Sequence, residues 1–256
     1  MSAAVIDSLP GFRRRFIVTP GQGWVQGAVE DDFHCMAVLI RHDGVIATEI
    51  EPQMERAPWS TCPGAVEQLK ATFTGIRLDA FAQRGEKTRN CTHLHDLALL
   101  AAAHADDGER LVYDVLVADP VDGVLRSELR RNGMPVMAWT IAGGTFVEPA
   151  ELAGQRLDTL RSWIDSLKPP AQEEAKVFRW ATMIAGGRIL PMEQQSTATS
   201  FPANCYTFQP DRAAVAKRIG VIRDFSDGTA QPLEQLVAPS GQSRNAPGLP
   251  FANDAA

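Results

Sequence analysis

Short apolar runs, separated by turn residues, make up the first sixty residues of the chain. FHCMAVLI, residues 33–40, is followed by Asp43-Gly44 and then by VIATEIEP. Asp-Gly between two apolar runs favours a hairpin, because the type I′ turn needs positive φ at both central positions. The pattern therefore predicts an antiparallel meander of hairpin-linked strands.

The same pattern returns after residue 106. LVYDVLVAD, VLRSELRR and MPVMAWTIAG are separated by Asp122-Gly123 and Asn132-Gly133, which predicts a second meander. CMAVLIRHDGVIATEIEP and VMAWTIAGGTFVEP are also loosely alike. This likeness leaves open either two duplicated halves or an independent use of the same turn residues.

Helical spacing follows each meander. The apolar positions predict helices that begin at Ala65 and within RNCTHLHDL, with Asn90 or Thr92 as N-cap, and then over 157–167, over 173–185 with a stop at Gly186-Gly187, and over 209–220. Runs of strands followed by runs of helices are typical of the α+β class. We expect one globular domain over 1–226, with sub-halves 10–106 and 107–226, and a disordered tail over 227–256.

Composition narrows the class of partner. The chain has 256 residues and a formal net charge of −6, which argues against nucleic acid or an anionic membrane as a partner. No apolar run reaches the ~20 residues of a membrane helix, and no signal peptide begins the chain. We expect a cytoplasmic protein with four reduced cysteines, a small-molecule substrate and no nucleotide cofactor. A homo-oligomer is left open.

One dense basic run stands near the start of the chain. FRRRF, residues 12–16, places three arginines between aromatic residues in a strand-like stretch. We interpret it as a solvated strand edge and not as a phosphate-binding patch.

The candidate chemistry centres on a helix start. Cys91 and His93 lie there, and His34 from a strand and Cys62 from the loop PWSTCPG would complete a Cys₂His₂ set. Such a set suits zinc in a reducing compartment. The close C-x₂₋₄-C pairs of zinc fingers are missing, so the spacing does not require this site.

Two other interpretations of these residues remain open. Cys91 at a helix N-terminus has a lowered pKa if the dipole dominates, which would make it a catalytic thiolate paired with a histidine. Alternatively, the thiols are small buried hydrophobes and His34 is a hydrogen-bonded core histidine. The acidic run 30–32 precedes His34. A solvated turn is its simplest interpretation, but one of its carboxylates, with Asp32 as the candidate catalytic residue, would serve as general base.

The N-terminal half resembles a bacterial family known as domain of unknown function 2889 (DUF2889). The likeness rests on RRRFIV, EDDFHCM, PWSTCP and NCTHLHDL, over about residues 12–106, and continues more weakly in RWATMIAGGR and CYTFQP. It implies that His34, Cys62, Cys91 and His93 are the recurring positions. Cys35 departs from the family's more usual acidic residue. The resemblance further implies a role in bacterial breakdown of aromatic or other small carbon compounds.

These observations predict a small-molecule hydrolase that acts on an ester, thioester or phosphate ester. His34, Cys62, Cys91 and His93 would hold a divalent metal, most simply zinc, and an acidic neighbour would take the proton of a bound water. Four protein ligands would close a zinc site, however, whereas catalysis needs an open position. A ligand-binding accessory protein and a lyase or isomerase with a histidine base are the alternatives.

Overall fold

A computed structural model describes residues 6–189, 196–237 and 251. It confirms the α+β class, since eight antiparallel strands form one sheet that is packed with several helices. The strands are β1 Gly11–Gly21, β2 Trp24–Asp31, β3 Cys35–His42, β4 Ala47–Arg56, β5 Leu111–Ala118, β6 Val124–Arg131, β7 Met134–Ala142 and β8 Thr145–Glu148.

The sheet order is β4-β3-β2-β1-β5-β6-β7-β8, so the strands run as two meanders of four. Most of the helices follow the meanders in the chain, as the hydrophobic pattern predicted. They are α1 Ala65–Phe73, α2 Phe81–Arg84, α3 Thr92–Ala103, α4 Arg161–Ser166, α5 Ala171–Ile189, α6 Pro210–Ala213 and α7 Glu234–Val237.

Turn chemistry was predicted correctly at two of three hairpins. Asp122 and Asn132 have φ values of 51° and 50°, and the glycine after each is also positive, as a type I′ turn requires. At the third hairpin, only Gly44 has positive φ. There Asp43 Oδ1 accepts hydrogen bonds from the backbone N–H groups of Val45 and Ile46, which shapes a longer loop.

The described residues divide into two compact units. Unit one contains those within Met1–Arg15, Val112–Leu190 and Arg223–Pro232, and unit two contains those within Phe16–Leu111, Pro191–Ile222 and Leu233–Ala256. The predicted sub-halves, 10–106 and 107–226, differ from these units mainly in the placement of the segment around 196–222. In unit two this segment lies with the first meander.

The interior of unit one forms between α5 and strands β6 and β7. Trp139 is 1% exposed and stacks on Phe178 with ring centroids 3.9 Å apart. Arg14 is also buried, and its guanidinium lies 4.3 Å from the centre of the Trp180 ring. The prediction of a solvated edge at FRRRF was therefore wrong, because β1 is an internal strand and a buried arginine can lie over an aromatic face.

The interior of unit two forms where α3 covers β2 and β3. Leu94, Leu97 and Ala101 of α3 are fully buried. At Gly27 of β2 an added β-carbon would lie 3.1 Å from the Leu97 side chain, so the absent side chain lets the helix lie close to the strand. Each buried leucine contributes about 1.5–3 kcal/mol to the stability of this contact.

Three predicted boundaries need correction. Helix α5 continues through Gly186 and Gly187 to Ile189, because glycine tolerates helical φ and no positive φ ends the helix there. Only Pro210–Ala213 of the predicted helix 209–220 is helical. The predicted disordered tail contains ordered structure as far as residue 237, because Leu233 is fully buried and α7 follows it. The polar composition of this segment gave no sign of either feature. Residues 238–250 and 252–256 lie outside the described residues.

No described helix is long and apolar enough to cross a membrane.

Gly186→Ala tests whether this glycine is truly inside a helix. A β-carbon at Gly186 would meet nothing within 4 Å, so we expect the free energy of unfolding to rise by about 0.5–1 kcal/mol. Gly133→Ala is the matched control, with equal space but a φ of 81°, and should lower stability by about 1 kcal/mol. Urea unfolding measures both, and a loss of stability in Gly186→Ala would contradict the continuous helix.

Candidate functional site

The turn between β2 and β3 is built around the carboxylate of Asp31. Its Oδ1 accepts hydrogen bonds from the backbone N–H groups of Phe33 and His34, with N···O distances of 2.7 Å and 2.8 Å. The backbone N–H of Asp31 donates to the carbonyl of His34 at 2.9 Å, which closes the turn. His34 thus lies in the turn just before β3, and not inside a strand as the alternation predicted.

The same carboxylate orients the His34 ring. Nδ1 of His34 lies 3.0 Å from Oδ1 and 3.2 Å from Oδ2 of Asp31, and both residues are buried. A carboxylate hydrogen-bonded to one ring nitrogen fixes which tautomer the imidazole adopts. Nε2 of His34 is then the nitrogen with an available lone pair. The sequence analysis chose Asp32 for the acidic role, whereas Asp31 makes this contact; the Asp-x-x-His spacing was the signal that could have identified it.

The acidic run is buried, so its interpretation as a solvated turn was wrong. Glu30 is 3% exposed and Asp31 and Asp32 are 0% exposed. Arg56 of β4 compensates the charge: its Nη1 donates to the Asp32 carbonyl, and its Nη2 donates to the Asp31 carbonyl and to Oε1 of Glu30 at 3.0 Å. Buried carboxylates persist only with such partners.

Helix α3 brings the second histidine to this turn. Cys91 is its N-cap, and His93 lies in the first turn. The rings of His34 and His93 stack with centroids 3.8 Å apart and an interplanar angle of 27°. Asn90 anchors the chain before the helix, because its side-chain amide donates to Thr72 Oγ1 and to the Glu86 carbonyl.

Asp31, His34 and His93 together form a group that could hold a metal ion. One ligand atom of each residue lies within 4.8 Å of the other two, and all three side chains are buried. Within the described part of the chain, neither Cys62 nor Cys91 joins this group. The candidate donor group in the structure is therefore two imidazoles and a carboxylate, which differs from the predicted set of two thiolates and two imidazoles.

The thiols are not activated as the helix dipole suggested. Burial raises the pKa of Cys91 to about 12, and the nearby Cys62 adds to the rise. Burial also raises the pKa of Cys62, although Thr207 Oγ1 donates to its sulfur at 3.3 Å. Desolvation outweighs the helix dipole at Cys91, so the expectation of a thiolate was wrong.

His95, two residues further along α3, has a different environment. Its Nε2 lies 2.9 Å from the carbonyl of Gly85, and its ring contacts Phe73 at 5.3 Å between centroids. These partners make it a buried structural histidine. It is thus a matched control for His93.

No protein-family model, curated protein or solved structure matches this chain. The resemblance to domain of unknown function 2889 accordingly remains a prediction.

Arg56→Met tests whether this arginine holds the turn. The change removes the guanidinium donor from the buried Glu30 carboxylate and from two buried carbonyls, and we expect a loss of about 3 kcal/mol of unfolding free energy. Arg41→Met on the neighbouring strand is the control, because Arg41 is 38% exposed and pairs with Glu51 at the surface. It should cost less than about 1 kcal/mol. Similar losses in both variants, measured by urea unfolding, would contradict the assigned role.

Proposed function

We propose that the chain is a metal-dependent hydrolase of small carboxylic or phosphoric esters, with its centre at Asp31, His34 and His93. The observation that carries the proposal is the convergence of two imidazoles and one carboxylate within 4.8 Å at a buried site. The substrate class rests on the sequence resemblance and is an ester, thioester or phosphate ester of an aromatic or organic acid.

The donor set fits a catalytic metal better than the predicted four-ligand set does. Zinc hydrolases commonly use three protein ligands, such as two histidines and a carboxylate, and keep the fourth position for water. Asp31, His34 and His93 supply this number and these types. The objection that a Cys₂His₂ set would close the coordination sphere therefore does not apply.

The chain's own groups prepare the site. Backbone N–H groups of Phe33 and His34 hold the Asp31 carboxylate, and Arg56 holds the backbone that carries Asp31. Such fixed orientation is what a metal ligand requires of its supporting contacts. The hydrogen bond between Asp31 and Nδ1 of His34 would be given up when both residues bind a metal. When bound, a divalent metal would polarise a substrate carbonyl or phosphoryl oxygen and acidify a water molecule.

The Asp31–His34 hydrogen bond also favours a second candidate. A carboxylate on one ring nitrogen leaves the other nitrogen as a proton acceptor, which is the arrangement of a general base. His34 would then abstract a proton from substrate in a lyase or isomerase without metal. Metal content separates the two candidates.

Elemental analysis of the purified protein tests the metal centre. We expect about one equivalent of zinc in the wild type and in Cys62→Ser, but a loss of zinc in His93→Gln, because His93 belongs to the proposed ligand set and Cys62 does not. His95→Gln is the matched control on the same helix and should keep the metal. Circular dichroism establishes that each variant is folded.

Each other result has a defined meaning. Zinc lost from Cys62→Ser as well as from His93→Gln would contradict the three-ligand centre and favour the Cys₂His₂ set. Iron in place of zinc would contradict the hydrolase, since this donor set also suits ferrous oxygenases. No metal in the folded wild type, even after dialysis against zinc, would leave the metal-free histidine base.

Hydrolysis of 4-nitrophenyl esters tests the reaction class. We expect zinc-dependent turnover that falls by about 100-fold in kcat/KM in His93→Gln, as for the loss of a group that orients or binds a catalytic metal. His95→Gln should remain within about threefold of wild type. Equal activity in the two variants would contradict the role of His93.

A further inference from the structure

A short C-terminal segment, residues 233–236, docks on the acidic run within unit two. Leu233 is fully buried, and its backbone N–H donates to Oε2 of Glu30 at 2.7 Å. The carbonyl of Leu236 accepts a hydrogen bond from Nη2 of Arg110. Leu233 and Glu30 are 203 positions apart in the chain, so this contact forms only in the folded protein. Residues 233–236 are called the docking segment below.

Glu30 connects the docking segment to the proposed metal centre. Its Oε2 accepts from Leu233, and its Oε1 accepts from Nη2 of Arg56 at 3.0 Å. The same guanidinium nitrogen donates to the backbone carbonyl of Asp31 at 2.7 Å. A continuous chain of hydrogen bonds therefore joins Leu233 to Asp31. Such networks can carry energetic coupling between two parts of a protein.

The docking segment and α3 contact opposite faces of β2. Gly27 faces the helix, because a β-carbon there would lie 3.1 Å from the Leu97 side chain. Side chains alternate along a strand, so Asp31 shares the face of Gly27, and Glu30 lies on the other face. The end of β2 is thus supported from one side by α3, which carries His93, and from the other side by Leu233.

The backbone at Leu233 is held in an unfavourable conformation. Its φ is 55°, where the β-carbon of a leucine crowds the following carbonyl oxygen. The Leu233 carbonyl accepts the backbone N–H of Leu236 at 2.9 Å, which begins α7. Backbone strain persists only where surrounding contacts enforce it, and it is common in switch regions. Here the enforcing contacts are the burial of the leucine side chain and the hydrogen bond to Glu30.

We propose that the docking segment regulates the metal centre, and that release of Leu233 lowers the affinity of Asp31, His34 and His93 for a divalent metal. This inference rests on the proposed function, because it concerns the same centre. Release removes one of the donors that fix the Glu30 carboxylate. Glu30 and Arg56 are then free to move together, and the backbone of Asp31 loses its fixed orientation.

Coupling of this kind is reciprocal. If docking of Leu233 raises the affinity for a metal by a given factor, metal binding must strengthen docking by the same factor. The proposal can therefore be tested from either end, by measuring metal affinity in a variant or docking in the wild type.

Leu233→Ala tests the effect of docking on metal affinity. Alanine removes most of the buried side chain and favours release, so we expect zinc to bind about tenfold more weakly, within the usual range of coupling between sites. Competition with a chromophoric chelator gives the dissociation constant. Leu152→Ala is the matched control, because Leu152 is a fully buried leucine of unit one. It should bind zinc within about twofold of the wild type.

Hydrogen exchange in the wild type tests the effect of metal on docking. The Leu233 amide is bonded to a buried carboxylate, so its exchange requires release of the segment. We expect saturating zinc to slow this exchange about tenfold, as measured by NMR. The amide of Leu152, which donates to the Pro149 carbonyl at 3.0 Å, is the control and should not change.

The outcomes separate this proposal from the proposed function. Equal zinc affinity in the wild type and Leu233→Ala, or Leu233 exchange that zinc does not slow, would overturn the regulation and leave the metal centre standing. Equal weakening in Leu233→Ala and Leu152→Ala would also overturn it, as a general loss of stability. A folded wild type that binds no zinc would overturn the metal centre and this proposal together. The exchange measurement uses the wild type, so it decides the matter even where Leu233→Ala does not fold.

Discussion

The close approach of α3 to β2 at Gly27 is the contact on which the proposed metal centre depends. A side chain at this position would meet Leu97 and Ala101, so glycine lets the buried face of the helix lie directly on the strand. The helix carries His93 in its first turn, and the β2–β3 turn carries His34. Their stacked rings are thus a consequence of packing between two rigid elements, which is how a precise site is held.

Buried charge is the second constraint at this site. Three consecutive acidic residues, Glu30 to Asp32, would not remain ionised in the interior without compensation. Arg56 donates to two of their carbonyls and to Glu30, while backbone amides donate to Asp31. Both carboxylate oxygens of Asp31 also lie within hydrogen-bonding distance of Nδ1 of His34. A network that stabilises the turn therefore also defines the orientation of the imidazole.

Local chemistry in the sequence determined the hairpins and most helices. Asp-Gly and Asn-Gly accept positive φ at residues 122–123 and 132–133, and the apolar stripe of α3 specifies a buried helix whatever surrounds it. The sequence likewise indicated His34 and His93 as candidate functional residues. It misjudged FRRRF, the acidic run and Cys91 because burial, and not residue type, decides whether a charge is solvated or a thiol ionises. Only the tertiary structure placed Asp31, and not Asp32, against His34, and brought His93 and not Cys62 or Cys91 into the group that could hold a metal, because these contacts depend on how residues far apart in the chain are packed.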